Sequence, residues 1–174
     1  IKPNSGAFRL GMTVVESEPD LRRAIEVATK LGPSVLVQQY IPGVDAHVSV
    51  LGGRALEVIE SIPGVLRESL PPLSFSTSQR TYIVPARFSA DVRSALRSTA
   101  ELVYRTVGCR GLSRCDFRVM NGKQIVFLEV NVQHTIRPRS MAHHSAMATG
   151  LDMNDLVTAI LNDRWRPERR AESN

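Results

Sequence analysis

The chain has 174 residues, with 22 Lys+Arg against 17 Asp+Glu and a formal net charge of +5. Its content of 43% apolar and 22% charged residues is that of a globular protein and excludes a disordered chain. No apolar run reaches the roughly 18 residues of a membrane-spanning helix, no basic-then-apolar leader opens the sequence, and two cysteines, Cys109 and Cys115, are too few for a disulfide framework, so the cytoplasm is the expected compartment.

Ile1-Lys2-Pro3-Asn4-Ser5-Gly6 reads as the end of a strand running into a loop, and the sequence opens on Ile rather than Met. Asp20 to Leu31 is predicted as a helix, with Asp20 as N-cap, Leu21, Ala24, Ile25, Ala28 and Leu31 on one face, and Gly32-Pro33 as its stop. Val35-Leu36-Val37 follows as a buried strand, Tyr40-Ile41-Pro42-Gly43 as a break, and Ala46 to Leu51 as a strand turning at Gly52-Gly53. Ala55 to Ile62 is the returning strand, and residues 63 to 81, rich in Pro, Ser and Thr, form a long loop. After Tyr82-Ile83-Val84-Pro85-Ala86, Ser89 caps a helix that buries Val92, Leu96, Ala100, Val103 and Val107 and ends at Gly108. Two strands, Leu112 to Val119 and Ile125 to Val130, meet at Asn121-Gly122, and a last helix covers about Asp152 to Leu161. Mixed helices and hairpins without repeats give an α+β class.

The basic charge collects in a tail from about residue 163, where Arg164, Arg166, Arg169 and Arg170 alternate with Asp163, Glu168 and Glu172 beside Trp165. A nucleic-acid reader needs a basic face interleaved with aromatics, and aromatics are only 5% here, so the tail reads as a solvated terminus.

The strongest local signal is Arg114-Cys115-Asp116-Phe117-Arg118, then Asn121-Gly122, then Leu128-Glu129-Val130-Asn131. Asn-Gly is the favoured two-residue hairpin turn. That turn sets Arg114 opposite Glu129 and Asp116 diagonal to it, and puts Cys115, Phe117 and Val119 on an apolar face with Val126, Leu128 and Val130. On the other face two carboxylates and an amide oxygen converge beside an arginine. Hard oxygen donors of this kind suit Mg²⁺, and the arginine suits charge developing on a transferred phosphoryl group. A surface hairpin with a cross-strand Arg–Glu pair is the other reading of the same residues. His134, His143 and His144 do not read as a zinc site, because the adjacent pair points to different sides of its element.

Taken in order, Lys2-Pro3-Asn4-Ser5-Gly6 with Gly11-Met12, Val35-Leu36-Val37 with Tyr40-Ile41-Pro42-Gly43, Val84-Pro85-Ala86, Gly108-Cys109-Arg110-Gly111 leading into Arg114-Cys115-Asp116-Phe117, and Leu128-Glu129-Val130-Asn131 resemble the ATP-grasp superfamily, and within it the D-alanine–D-alanine ligases. The resemblance runs from Ile1 to near Leu161. It implies residues 1–45 as the remainder of a central ATP-binding lobe, 46–174 as the C-terminal catalytic lobe, and an N-terminal lobe outside this sequence. It implies an ATP-dependent carboxylate–amine ligase with a cell-wall role, acting through an acyl-phosphate with Mg-ATP, Mn²⁺ being the substitute ion. ATP would sit between two sheets. The partners implied are ATP and small amino acids, with no nucleic acid or membrane, and a homodimer of the full-length protein. The alternative is a degenerate nucleotide-binding module without ligase activity.

By the same resemblance Lys2 contacts nucleotide phosphates, Asp45 stands at the acid for the ribose hydroxyls, Gln38, Tyr40 and Ile41 belong to the adenine side, and Leu128 is a further nucleotide-binding residue. Asp116, Glu129 and Asn131 are the implied metal ligands, Arg114 the catalytic residue, and Ser140 the serine for the amino-acid carboxylate. A helix N-cap accounts for Ser140 equally well. Four places depart from the family. Phe8-Arg9 replaces paired serines, Gln38 a glutamate, Ser74-Phe75 a lysine–tyrosine pair, and Val132-Gln133-His134-Thr135-Ile136-Arg137 a Pro-Gly-Met-Thr loop. Arg9 and Arg137 are the candidates to replace the lost lysine, without its point-like geometry.

Overall fold

The computed structural model describes residues 1–5, 10–62 and 81–164. Phe8-Arg9, Ser74-Phe75, nearly all of the predicted 63–81 loop and the tail beyond Arg164 lie outside the described residues. The chain divides into two compact units, Ile1–Ile41 and Pro42–Asn174.

In the first unit β1 (Lys2–Pro3) pairs antiparallel with β2 (Val35–Leu36), Lys2 opposite Leu36. Helix α1 (Glu18–Thr29) buries Ala24 and Ala28. Its N-cap is Ser17, not the predicted Asp20, and Ser17 Oγ accepts from the Asp20 N–H at 3.4 Å. Pro19 explains the earlier start, since its fixed φ and missing N–H suit a first turn, and Glu18 and Asp20 place negative charge at the positive end of the helix. The helix ends at Thr29, short of Leu31, which is exposed. Val37, predicted in a buried strand, lies beyond β2 and is exposed.

The second unit is built on an antiparallel sheet: β3 (Val44–Leu51), β4 (Arg54–Ala55), β5 (Ile59–Ile62), β6 (Thr81–Ile83), β7 (Leu112–Met120) and β8 (Gln124–Asn131). The order is β6-β5-β3-β7-β8, with β4 pairing back on β3. Gly43 precedes β3 at φ +133°, and a Cβ there would lie 2.5 Å from the Val119 carbonyl oxygen, so only glycine lets β3 enter this close beside β7.

The predicted strand from Ala55 to Ile62 is broken in two. Leu56 turns away to pack with Leu112, Ala142, Ala146 and Leu156. The Glu57 backbone leaves the ladder for α3 (Met141–Ala148) and the residue that caps it: Ser145 Oγ donates to the Glu57 carbonyl at 2.5 Å, and Thr149 Oγ1 accepts from its N–H at 3.2 Å. Helix α4 (Met153–Arg164) adds Leu156 to the same cluster. α3 is absent from the sequence reading because its residues carry almost no amphipathic pattern.

The other sheet face carries the main core. Helix α2 (Ala90–Val107), capped by Ser89 and ended by Gly108 in the left-handed region, packs Val92, Leu96, Ala100 and Tyr104 on Ala46, Val48, Val50, Cys115, Phe117 and Val119. The i, i+4 row continues to Tyr104, and the predicted Val107 is exposed.

The hairpin differs most from expectation. Asn121 and Gly122 do turn the chain, at φ 49° and 67°, and the Lys123 N–H donates to the Met120 carbonyl at 3.0 Å. The ladder then resumes with Met120 opposite Gln124, one residue later than a two-residue loop allows. A bulge between Asp116 and Phe117 shifts it once more, with Leu128 as the extra residue. Asp116 is therefore directly opposite Glu129, and Arg114 opposite Asn131. Ile125, Phe127 and Val130 turn toward the core side, Phe127 meeting Phe117 edge-on at 5.8 Å between ring centroids. Leu128, expected in that core, is exposed.

Candidate functional site

The sheet face away from α2 is polar because β3 and β7 alternate in phase. Asp45, His47 and Ser49 of β3 stand opposite Arg118, Asp116 and Arg114 of β7. Asp45, His47, Ser49 and Asp116 are buried. Buried polar groups need partners, and Asp116 has two of them. Arg114 forks onto it, Nε donating to Oδ1 at 2.6 Å and Nη2 to Oδ2 at 2.8 Å. His47 Nδ1 lies 2.7 Å from Oδ1. Burial works against the ionised form, yet the hydrogen bonds from His47 and Arg114 hold the Asp116 carboxyl down at about 2. Burial also works against the Arg114 charge, and its bonds to Asp116 outweigh that and raise its pKa.

Glu129 is exposed and attracts Arg114 electrostatically. Asn131 Oδ1 accepts from the Gln133 N–H at 2.9 Å, which fixes the amide at the end of β8. Asp45 pairs with Arg118 at 3.1 Å, and Arg118 Nη1 also donates to the Gly43 carbonyl at 2.8 Å. One sheet face thus gathers Arg114, Asp116, Glu129, Asn131 and Asp45. Leu128 is on the bulge beside Glu129. Ser140 is the N-cap of α3, accepting from the His143 N–H at 3.3 Å. In the first unit Lys2 is half-buried in β1, Gln38 and Tyr40 are exposed and Ile41 is half-buried.

Directly opposed strand residues have Cβ atoms about 4.5–5.5 Å apart, closer than the expected diagonal. Asp116 and Glu129 are thus a tighter carboxylate pair than the two-residue turn predicted. Among the described residues no group of three His, Cys, Asp or Glu side chains is placed to hold a metal ion. Two carboxylates and an amide fit a cation that keeps waters and is completed by phosphate oxygens, as Mg²⁺ does, better than a closed protein cage.

His47 escaped the sequence reading. Its signal is the alternation Asp45, His47, Ser49 inside a strand whose other residues are apolar. Its Nε2 is buried without a hydrogen-bond partner, as is that of His134. His134 lies on the segment after β8, and burial, with the nearby Arg114 charge, lowers its pKa.

The family model described as D-ala D-ala ligase C-terminus matches residues 1–162. The chain belongs to the D-alanine–D-alanine ligase family. The D-alanine–D-alanine ligase of Gloeobacter violaceus is 31% identical over 162 residues, covering 93% of this chain and 54% of that protein. Among solved structures, the D-alanine–D-alanine ligase of Bacillus anthracis complexed with ATP superposes with a TM-score of 0.75 at 22% identity over 93% of this chain and 50% of that one. The VanG D-Ala:D-Ser ligase of Enterococcus faecalis superposes at 0.81 and 24% identity, covering 92% and 48%. The α+β fold is that of these ATP-grasp ligases. The chain spans about half the length of the D-alanine–D-alanine ligases it matches. Among the described residues no helix is long and apolar enough to cross a membrane.

Proposed function

We propose that this chain supplies the catalytic part of an ATP-dependent carboxylate–amine ligase of the D-alanine–D-alanine ligase type. One amino-acid carboxylate takes the γ-phosphoryl group of ATP, ADP leaves, and the amine of a second amino acid attacks the acyl-phosphate, releasing phosphate and forming an amide. The observation that carries this reading is the register of β7 and β8, which opposes Asp116 to Glu129 and Arg114 to Asn131.

Asp116, Glu129 and Asn131 are the residues that would hold Mg²⁺. Bound there, the ion supplies charge neutralisation to the phosphate oxygens. Asp116 is ready for this because its carboxyl is held ionised, at about 2. Arg114 offers a fixed positive charge to the phosphoryl group in transfer and to the tetrahedral state that follows. In this reading Lys2 neutralises nucleotide phosphates, Asp45 accepts from the ribose hydroxyls, Gln38, Tyr40 and Ile41 contact the adenine side, and Leu128 contacts the nucleotide. Ser140 serves the amino-acid carboxylate while it caps α3.

The test is ADP release by the full-length protein with D-alanine and other small amino acids, with and without Mg²⁺. Release that needs both the amino acid and Mg²⁺ supports the proposal. Nucleotide binding without ADP release under any amino-acid mixture contradicts it and marks a binding module.

A further inference from the structure

Among the described residues, His47 is the side chain bound to Asp116 that neither the motif order nor the proposed chemistry uses. It sits mid-strand on β3, directly across from Asp116, and its side chain is only 8% exposed. An ionised carboxylate only accepts, so the proton of the 2.7 Å contact is on His47 Nδ1, which donates to Asp116 Oδ1. The Arg114 fork fixes the carboxylate within the guanidinium plane and leaves it able to tilt out of that plane. A second donor from the neighbouring strand fixes it from another direction.

We propose that His47 is a positioning residue for this site: its Nδ1–H, with the Arg114 fork, holds the Asp116 carboxylate in the orientation that presents it to a phosphate-bound divalent cation. The proposal rests on the ligase reading of Asp116 and deepens it. Ligands are commonly oriented by an outer hydrogen-bond partner, and removing such a partner weakens metal binding about 10- to 100-fold.

The substitutions separate the two ends of the ring. In H47N the amide nitrogen stands close to the Nδ1 position and keeps the donor. H47Q reaches toward the Nε2 position and loses it, and H47L removes both. Mn²⁺ binding to the chain in the presence of ATP, read by water-proton relaxation, is compared for these variants, the parent and D116N, with melting temperature recorded for each. The expected result is a loss of about 10-fold or more in H47Q and H47L, with H47N close to the parent. Long-range proton–nitrogen spectra of the parent should show the His47 Nδ1 protonated.

Parent-like affinity in H47Q and H47L overturns the proposal. So does an equal loss in all three variants, H47N included, since a merely structural imidazole gives that pattern. A bare Nδ1 in the spectra overturns it too. If D116N binds Mn²⁺ as the parent does, the ligase reading of Asp116 fails and the proposal with it. If D116N loses binding while H47Q and H47L keep it, only the positioning role fails.

Discussion

Asp116 and Glu129 stand directly opposite each other on β7 and β8, and the extra residue Leu128 is what brings them there. Asp116 is locked by Arg114 and His47 within the protein, whereas Glu129 faces outward. The two carboxylates are therefore unequal, one buried and fixed by two donors and one exposed.

That inequality predicts different costs. Asp116→Ala takes both hydrogen-bond acceptors from the largely buried Arg114 charge, so it should destabilise the fold by about 3–5 kcal/mol. Glu129→Ala, at an exposed position, should change stability by no more than about 0.5 kcal/mol. Chemical denaturation of both variants checks this, and equal losses would contradict the buried–exposed distinction.

Acid stability has a second carboxylate in it. Glu60 is buried on β5, and Arg87 donates to it from its backbone N–H at 3.2 Å and from its guanidinium. Those guanidinium bonds outweigh burial and hold the Glu60 carboxyl below its usual range. A depressed carboxyl adds stability that is complete above its unfolded value and lost as pH falls through the folded value. For Asp116 that window runs from 3.8 down to about 2, and for Glu60 it runs downward from 4.5. Melting temperature should therefore fall steeply below about pH 4.5 in the parent. Glu60→Gln should flatten the upper part of that fall.

The thiols should behave differently from each other. Cys115 is buried under α2, its Sγ–H donating to the Ala100 carbonyl at 3.9 Å. Burial, with the nearby Cys109, pushes its pKa up to about 12, so it carries no thiolate at neutral pH. Cys109 is partly exposed. Native alkylation at pH 8 should modify Cys109 and spare Cys115, and denaturant should open both. Mass spectrometry of the alkylated chain reads the difference.

The strand break at Glu57 has its own test. Ser145→Ala leaves the half-buried Glu57 carbonyl without its 2.5 Å donor, at a cost of about 1 kcal/mol. Because Ser145 bonds the Glu57 carbonyl and none of Arg114, Asp116, Glu129 and Asn131, cation affinity should stay at the parent value. A loss of Mn²⁺ binding in this variant would contradict that independence.

Much of this was legible in the residues. The helix from Ser89 to Gly108 shows its cap, its i, i+4 row and its left-handed stop, and the alternation of β7 shows which residues face α2. The turn at Asn121-Gly122 is also visible. The register beyond it is not, because a bulge adds a residue without changing the apolar pattern enough to announce itself. Leu128 looks like core and is the residue the bulge turns out. Asp116, Glu129 and Asn131 stand out as candidates because acids and amides on a hairpin contrast with an apolar background. His47 was missed because its partner lies 69 residues away, and only the pairing of β3 with β7 brings them together. The Ser17 cap was outbid by Asp20, a good capping residue that Pro19 moves inside the first turn.

The central claim is that the opposed carboxylates hold the cation on which phosphoryl transfer depends. The most direct measurement is Mg²⁺-dependent ADP release by the full-length protein carrying Glu129→Gln, a change that keeps the shape and removes the charge at the exposed, stability-neutral half of the pair. The account predicts that release is abolished while the melting temperature stays at the parent value. Turnover at the parental rate would contradict it.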